Sequence, residues 1–273
     1  MLECVVNVSE GRDDARLDAL ARAAGPSLRD RHRDTFHNRS VFTLIAAGAD
    51  LERDVRSLVT AAFDLLDLTT HEGVHPRFGV VDVVPFVALE PERAEVALGY
   101  RDATAQWIAR EHGVPVFLYG LVEGALRTLP DVRRRAFTDL APDVGPALAT
   151  PRLGAVACGA RPVLVAWNLW LEGVGLDEAR DIAASLRREE VRSLAFRVGD
   201  GVQVSCNLID PGAVGPDVVY DQVLARLRGP GRIGRAELVG LAPRIVLDAV
   251  DPRRWPELDL SEERTIEGRL ASG

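Results

Sequence analysis

No apolar run in this 273-residue chain approaches the roughly 20 residues that a membrane span requires. The opening stretch MLECVVNVSEGRDD lacks a basic segment followed by an apolar one, so no secretory signal is legible. Cysteine is scarce. Cys4, Cys158 and Cys206 are odd in number, far apart and set in apolar surroundings, which fits reduced, buried thiols in a cytoplasm rather than a disulfide framework. An excess of positive charge is also missing. The net charge of −8 argues against nucleic acid as the main partner, while a small anionic substrate held by local arginines stays compatible with it. No G-x-G-x-x-G opens a helix, and GARPVLVAWNL is no phosphate loop. What is present is ordinary for a globular protein: 47% hydrophobic and 27% charged residues, enough for a sizeable core. The length suits one large domain or two compact ones.

Periodicity supplies the order of elements. ECVVNV reads as a short apolar strand, and ARLDALARAA has helical spacing that stops at Gly25. A strand near Leu28–Arg31 leads across RDTFHNR into SVFTLIAAG, rich in β-branched residues. Asp50 is placed to cap the next helix, whose stripe is Leu51, Val55, Leu58, Val59, Ala62 and Leu66. GVVDVVPF is a strand, a helix follows from Pro91 to about Glu111, and VPVFLYG is a strand again. Residues 121–160 hold few clear periods and several Pro and Gly, as a connecting segment does. The order then restarts. RPVLVAWNL is a strand, and Asp177 opens a helix with Ala179, Ile182, Ala183 and Leu186 inward. VRSLAFRV and VQVSCNLI flank the hairpin signal Gly199-Asp200-Gly201. Pro216–Leu227 is a helix, and AELVGL closes the series. Both halves thus run strand–helix–strand–strand–helix–strand, so an α+β chain of two ferredoxin-like (βαββαβ) subdomains is expected, at 1–160 and 161–273, with a ligand cleft between them.

His71-Glu72-Gly73-Val74-His75 matches the zinc signature H-E-x-x-H letter for letter. That signature works because positions i and i+4 share one helix face. Pro76 follows the second histidine, and its ring would clash with the carbonyl of Glu72 in a helix; Gly73 weakens a helix further. The segment is read as a loop without metal. It presents His75, whose backbone Pro76 restricts, two residues ahead of Arg77. Three more of the five histidines, His32, His37 and His71, fall in the same two loop regions. Gln203, Ser205 and Asn207 alternate along one strand and so share a face. Asn7 and Glu10 sit where the first strand ends, beside Gly11. Trp107, Trp167 and Trp170 are read as core or interface rather than stacking platforms.

Taken in order, these segments resemble the formiminotransferase domain family, also called glutamate formimidoyltransferase. CVVNVSEG is similar to the family's C-x-P-N-x-S-E-G, with Val6 in place of proline, and NRSVFT to its N-R-T/S-V-x-T. HEGVHPRFGVVDVVPF resembles H-x-G-x-H-P-R-x-G-A-x-D-V-x-P-F, and VPVFLYG, PDVGP, PRLGAVACGAR, VQVSCNL and ELVGL follow in the family's sequence. The resemblance implies transfer of a formimino group from N-formimino-L-glutamate to N5 of tetrahydrofolate, a step of histidine degradation, with tetrahydrofolate as co-substrate and no metal. It also implies two ferredoxin-like subdomains around a folate tunnel, a cytoplasmic homodimer, and small molecules rather than nucleic acid or membrane as partners. The stretch after ELVGL leaves no room for a cyclodeaminase domain, so a stand-alone transferase is expected.

The resemblance also implies roles. His75 matches the family's catalytic histidine, the general base and acid. Arg77 matches the arginine of His-Pro-Arg, and a guanidinium can grip the carboxylates of glutamate or the folate tail. Asn38, Arg39 and Arg161 are expected substrate contacts on the same logic, joined by Asn7, Glu10, Gln203, Ser205 and Asn207. The family's assisting acid, six positions before the Asn-Arg pair, falls here on His32; Asp30 and Asp34 flank it, and either can supply the carboxylate. Two alternatives to formimino transfer are a non-catalytic or repurposed folate-binding relative and a transferase that takes its group from N-formylglutamate.

Overall fold

A computed structural model describes residues 1–74 and 76–272. The chain is mixed α+β and divides into two compact units, Met1–Pro162 and Val163–Gly273.

In the first unit the chain runs β1 (Leu2–Val8), α1 (Asp14–Ala23), β2 (Leu28–Asp34), β3 (Arg39–Ala46), α2 (Gly48–Leu65) and β4 (Val81–Ala88). It continues through α3 (Ala94–His112), β5 (Val116–Val122), β6 (Ala125–Arg127), α4 (Leu129–Arg135) and β7 (Val156–Ala160). These strands form one seven-stranded sheet in the order β2-β3-β1-β4-β7-β5-β6. The first four pair antiparallel, whereas β7 runs parallel to both β4 and β5. Period-2 alternation sorts the side chains of β1. Cys4, Val6 and Val8 join Leu17, Leu20, the α2 stripe and Ile108 in the main core, which leaves Glu3, Val5 and Asn7 on the opposite face. On that face Val83, Phe117, Tyr119 and Ala157 form a smaller cluster with Val132 of α4.

Two expectations need correction here. Residues 121–160 are more than a connection: they carry β6, α4 and β7, and β7 lies inside the sheet. Its sequence, VACGA, is short, small and buried throughout, so it offers no alternation to detect. Asp50 is not the cap of α2. The helix starts two residues earlier with Ala47 at its N-cap, so Asp50 stands in the first turn and pairs with Arg53 at 2.6 Å.

The second unit contains β8 (Val165–Glu172), α5 (Leu176–Leu186), β9 (Val191–Val198), β10 (Gly201–Leu208), α6 (Pro216–Leu224) and β11 (Arg232–Val239). Two short helices follow, α7 (Arg244–Asp248) and α8 (Ile266–Ala271). Its four strands pair antiparallel in the order β11-β8-β10-β9. Gly199-Asp200 forms the two-residue turn between β9 and β10, with Gly199 at φ +59°, a left-handed conformation that glycine adopts without penalty. Asp177 lies in the first turn of α5 rather than at its cap, which is Gly175. Ala179, Ile182, Ala183 and Leu186 face the core as the spacing requires. The three cysteines are free thiols, all buried. Among the described residues no helix is long and apolar enough to cross a membrane.

Candidate active site

The far end of β1 meets the start of β3 and the loop that precedes β4, and a narrow crevice forms there. Ser9, His37, Asn38, Arg39, His71 and Arg77 line it. Through Arg39 the crevice joins an ion cluster around Asp82, a carboxylate with no exposed surface. Arg39 Nη1 donates to Asp82 Oδ2, Arg133 Nη2 donates to the same oxygen at 2.6 Å, and the Phe78 amide donates to Oδ1 at 2.6 Å. Burial pushes the Asp82 carboxyl up, but the two guanidinium groups outweigh it and leave the pKa at about 2. Burial likewise lowers the pKa of Arg39 against the opposing pull of Asp82. Arg39 also donates to Asn7 Oδ1, from Nε at 3.2 Å and from Nη2 at 2.8 Å, while Asn7 Nδ2 donates to the Val5 carbonyl. Asn7 and Arg39 are therefore brought together as one unit.

Asn38 fastens two loops. Its backbone is left-handed at φ +48°, a conformation asparagine tolerates better than most residues. Its Oδ1 accepts from the Gly11 amide at 2.9 Å, and its Nδ2 donates to the Glu72 carbonyl at 2.9 Å. Gly11 has no room for a side chain, because a Cβ there would stand 2.3 Å from the Asp34 carbonyl oxygen. Glu10 organises the turn before α1, where its Oε1 accepts from the amides of Arg12 and Asp13 at 2.8 and 3.0 Å. His71 Nε2 lies 2.8 Å from the Asn38 carbonyl oxygen, so Nε2 carries a proton and donates it there. Its Nδ1 is buried without a hydrogen-bond partner among the described residues. Burial lowers the His71 pKa, with the carbonyl of Asn38 opposing.

Residues His71–Val74 are not helical, so the i, i+4 face that H-E-x-x-H needs is not formed. Arg77 closes this loop, donating to the Gly73 carbonyl at 3.1 Å and the His71 carbonyl at 3.0 Å. His75, the expected base, lies outside the described residues. Of the two expected acids, Asp34 stands beside the crevice. It is paired across strands with Arg39; its Oδ1 accepts from the Phe36 and His37 amides at 2.8 Å, and Oδ2 is 3.8 Å from His37 Nε2. Asp30 is four residues back along β2, opposite Thr43, about 13 Å away at the strand rise. Arg161 is not at the crevice either. It follows β7, its amide donates to the Phe86 carbonyl at 3.1 Å, and its charge acts on Glu3, at the other end of β1.

In the second unit Gln203, Ser205 and Asn207 do share one face of β10, opposite the core residues Val202, Val204, Cys206 and Leu208. Gln203 is fully buried and Asn207 exposed. They pair with Trp170, Asn168 and Ala166 of β8. Trp170 and Asn168 both donate to Glu237 Oε2, at 3.0 and 3.1 Å, and the Arg235 guanidinium lies 4.4 Å from the Trp170 ring centre. Sequence reasoning passed over Glu237 and Asp82. Asp82 carried a signal: a carboxylate flanked by valines in an apolar strand is buried and needs a counter-charge.

The description "Formiminotransferase domain, N-terminal subdomain" fits residues 1–161, more than half of the chain. The chain belongs to the formiminotransferase domain family. Among its relatives, glutamate formimidoyltransferase of Streptococcus pyogenes serotype M1 is 33% identical over 267 residues, covering 89% of each chain. Glutamate formimidoyltransferase of Thermoplasma acidophilum is 31% identical over 274 residues, 90% of this chain and 89% of that one. Formimidoyltransferase-cyclodeaminase of Sus scrofa is 31% identical over 281 residues, which are 91% of this chain and 51% of the pig protein. The chain thus spans about half the length of that two-activity relative. The resemblance to the formiminotransferase family, drawn above from eight short segments, is borne out.

Proposed function

We propose that this formiminotransferase family member transfers the formimino group from N-formimino-L-glutamate to N5 of tetrahydrofolate. The observation that carries this is 33% and 31% identity to two glutamate formimidoyltransferases over alignments that cover 89–90% of this chain and 89% of each of theirs. The crevice of the first unit supports it, because it gathers imidazoles and guanidinium groups where an anionic donor needs them.

In the reaction the N5 lone pair attacks the formimino carbon, and the C=N electrons move onto nitrogen. The tetrahedral intermediate collapses as the bond from that carbon to the glutamate nitrogen breaks. One proton leaves N5 and one arrives on the departing nitrogen. His75 serves as base and then acid, since a group that titrates near neutrality can do both. Asp34, fixed by two backbone amides beside the crevice, is the acid we assign to the site in preference to Asp30. Asn38 and Arg77 hold the loop that carries His75, and the Asp82 cluster orients Arg39 toward Asn7. No metal takes part. The strand orders β2-β3-β1-β4 and β11-β8-β10-β9 support reading each βαββαβ segment as a ferredoxin-like sandwich, with the boundary along the chain near residue 160. A homodimer belongs to the same proposal, and light scattering on the purified protein tests it.

The deciding assay mixes purified protein with formiminoglutamate and tetrahydrofolate and follows 5-formiminotetrahydrofolate. His75→Asn is expected to lower the rate by about 10²–10⁴-fold; an undiminished rate would remove His75 from the mechanism. His32, standing where the family carries an acid, favours one rival, a folate-binding relative without turnover. Tight tetrahydrofolate binding with no product selects that rival, and product formed only from N-formylglutamate selects the formyl donor.

A further inference from the structure

Donors that are already engaged wall the crevice of the first unit. Arg39 donates to Asp82 and Asn7, Arg77 to the carbonyls of Gly73 and His71, and Asn38 Nδ2 to the Glu72 carbonyl. Ser9 Oγ donates to the Gly79 carbonyl at 2.8 Å. His71 differs. Its Nε2 donates to the Asn38 carbonyl at 2.8 Å, while its Nδ1 is buried without a hydrogen-bond partner among the described residues. The ring cannot turn over to relieve Nδ1, because a flip would set a carbon against the Asn38 carbonyl and forfeit that bond.

Burial holds the ring below its ordinary pKa of 6.5, so at neutral pH Nδ1 carries a lone pair and can only accept. A buried acceptor left unpaired is destabilising, and beside a substrate crevice the missing donor is one that the substrate brings. A structural role does not require Nδ1, since glutamine would make the same bond to Asn38 without a second nitrogen. The free space is also small. It amounts to about 140 Å³, against roughly 300–1,000 Å³ for a pocket that encloses a whole ligand. A compact planar end of a substrate suits it, with the rest of the molecule outside.

We propose that His71 Nδ1 recognises the formimino group, accepting a hydrogen bond from its terminal nitrogen and so selecting a formimino donor over a formyl one. This rests on the formimino-transfer reading given above and adds the residue that sets its donor specificity. The two donors share their glutamate part and the carbon that is transferred, and they differ at one atom. The formimino end carries an N–H whether or not the amidine is protonated, whereas the formyl end is a bare oxygen. Against Nδ1 the first makes a hydrogen bond and the second sets two lone pairs together. The acceptor is braced from behind, because the carbonyl that fixes the ring belongs to Asn38, whose side chain ties Gly11 to Glu72.

Two substitutions separate the acceptor from the bracing bond. His71→Gln places an amide nitrogen near the Nε2 position, which keeps the bond to Asn38, and leaves no polar atom at Nδ1. His71→Asn does the reverse, with its amide oxygen near the Nδ1 position. The test compares kcat/KM for formiminoglutamate with the inhibition constant of N-formyl-L-glutamate in wild type and both variants, and melting temperatures check folding. His71→Gln should lower kcat/KM by about 10- to 100-fold, the ratio for one hydrogen bond to a buried partner, while inhibition by N-formylglutamate holds within about threefold. His71→Asn should keep the wild-type preference between the two compounds. Equal losses for both compounds in His71→Gln, no loss for either, or the same loss of preference in His71→Asn overturns the acceptor role and leaves the reaction standing. ¹⁵N spectra of the wild type need no variant. Formiminoglutamate should move the His71 Nδ1 resonance and N-formylglutamate should not; an unmoved resonance at saturating formiminoglutamate overturns the proposal. Wild-type turnover of N-formylglutamate alone, or of neither compound, removes the formimino-transfer reading as well.

Discussion

Replacing Asp82 by asparagine tests how the crevice is held. The change conserves volume and leaves an oxygen for the Phe78 amide, but it removes the buried charge to which both Arg39 and Arg133 donate. The Asp82 side chain has no exposed surface, and those of Arg39 and Arg133 are 16% and 23% exposed, so water screens the cluster little. Two estimates bracket the cost. The carboxyl titrates at about 2 instead of 3.8, which is worth about 2 kcal/mol at neutral pH. Breaking a buried pair and stranding its cation costs about 3–5 kcal/mol. At roughly 2–4 °C per kcal/mol for a unit of this size, Asp82→Asn should melt about 5–15 °C below wild type at pH 7. The sign of the pH dependence is fixed. A depressed carboxylate pKa gives stabilisation that is complete above 3.8 and lost as the pH falls through about 2, so the gap narrows only in that acid window. Differential scanning calorimetry from pH 7 downward reads both quantities. A variant that melts within about 2 °C of wild type at pH 7 refutes the view of Asp82 as the anchor of Arg39.

Glu3 should show the opposite pH dependence. Its folded pKa of about 7 exceeds the ordinary 4.5, so wild type is at full strength below 4.5 and weakens as the pH rises through 7. Glu3→Gln should therefore gain on wild type by up to about 3 kcal/mol above pH 8 and match it at pH 4.5, as urea titrations at the two pH values will read. Asn38→Ala loses both loop contacts and places alanine at φ +48°. It should cost about 2–3 kcal/mol and expose residues 71–77 to protease; an unchanged digestion pattern would disprove the fastening role. His71, whose pKa is lowered by burial, should stay neutral and Nε2-protonated at pH 6.5, which ¹⁵N chemical shifts report directly. An imidazolium at that pH would contradict the lowering of its pKa by burial, and a neutral ring protonated on Nδ1 would contradict the hydrogen bond to the Asn38 carbonyl.

Much of this structure was legible where period and turn chemistry agree. The α2 stripe from Leu51 to Leu66 is buried as spaced, and Gly199-Asp200 turns where a Gly-Asp pair should. Helix starts were less legible, because Asp50 and Asp177 favour a first turn almost as well as a cap. β7 escaped notice since five small buried residues have neither alternation nor length. In the site, Asn7 with Arg39, and Asn38 with the 71–77 loop, were singled out as neighbours of the chemistry, yet their partners were not. Asp82 and Glu3 join the picture only through strand pairing, which brings together residues dozens of positions apart. Pairing of that kind leaves no trace in local spacing.

The position of β7 sets the timetable by which the first unit can be completed. It is the last of the seven strands in chain order, yet it lies between β4 and β5. A chain emerging from the ribosome can assemble β2-β3-β1-β4 early, and the β5–β6 hairpin beside it, but the two pieces have no shared edge until Ala160 has been made. During that interval the flank of β4, VDVVPFVA, stays open, and such edges invite pairing with other chains. Truncation ahead of Val156 should then yield aggregates rather than a smaller domain, which makes VACGA the keystone of synthesis as well as of the sheet.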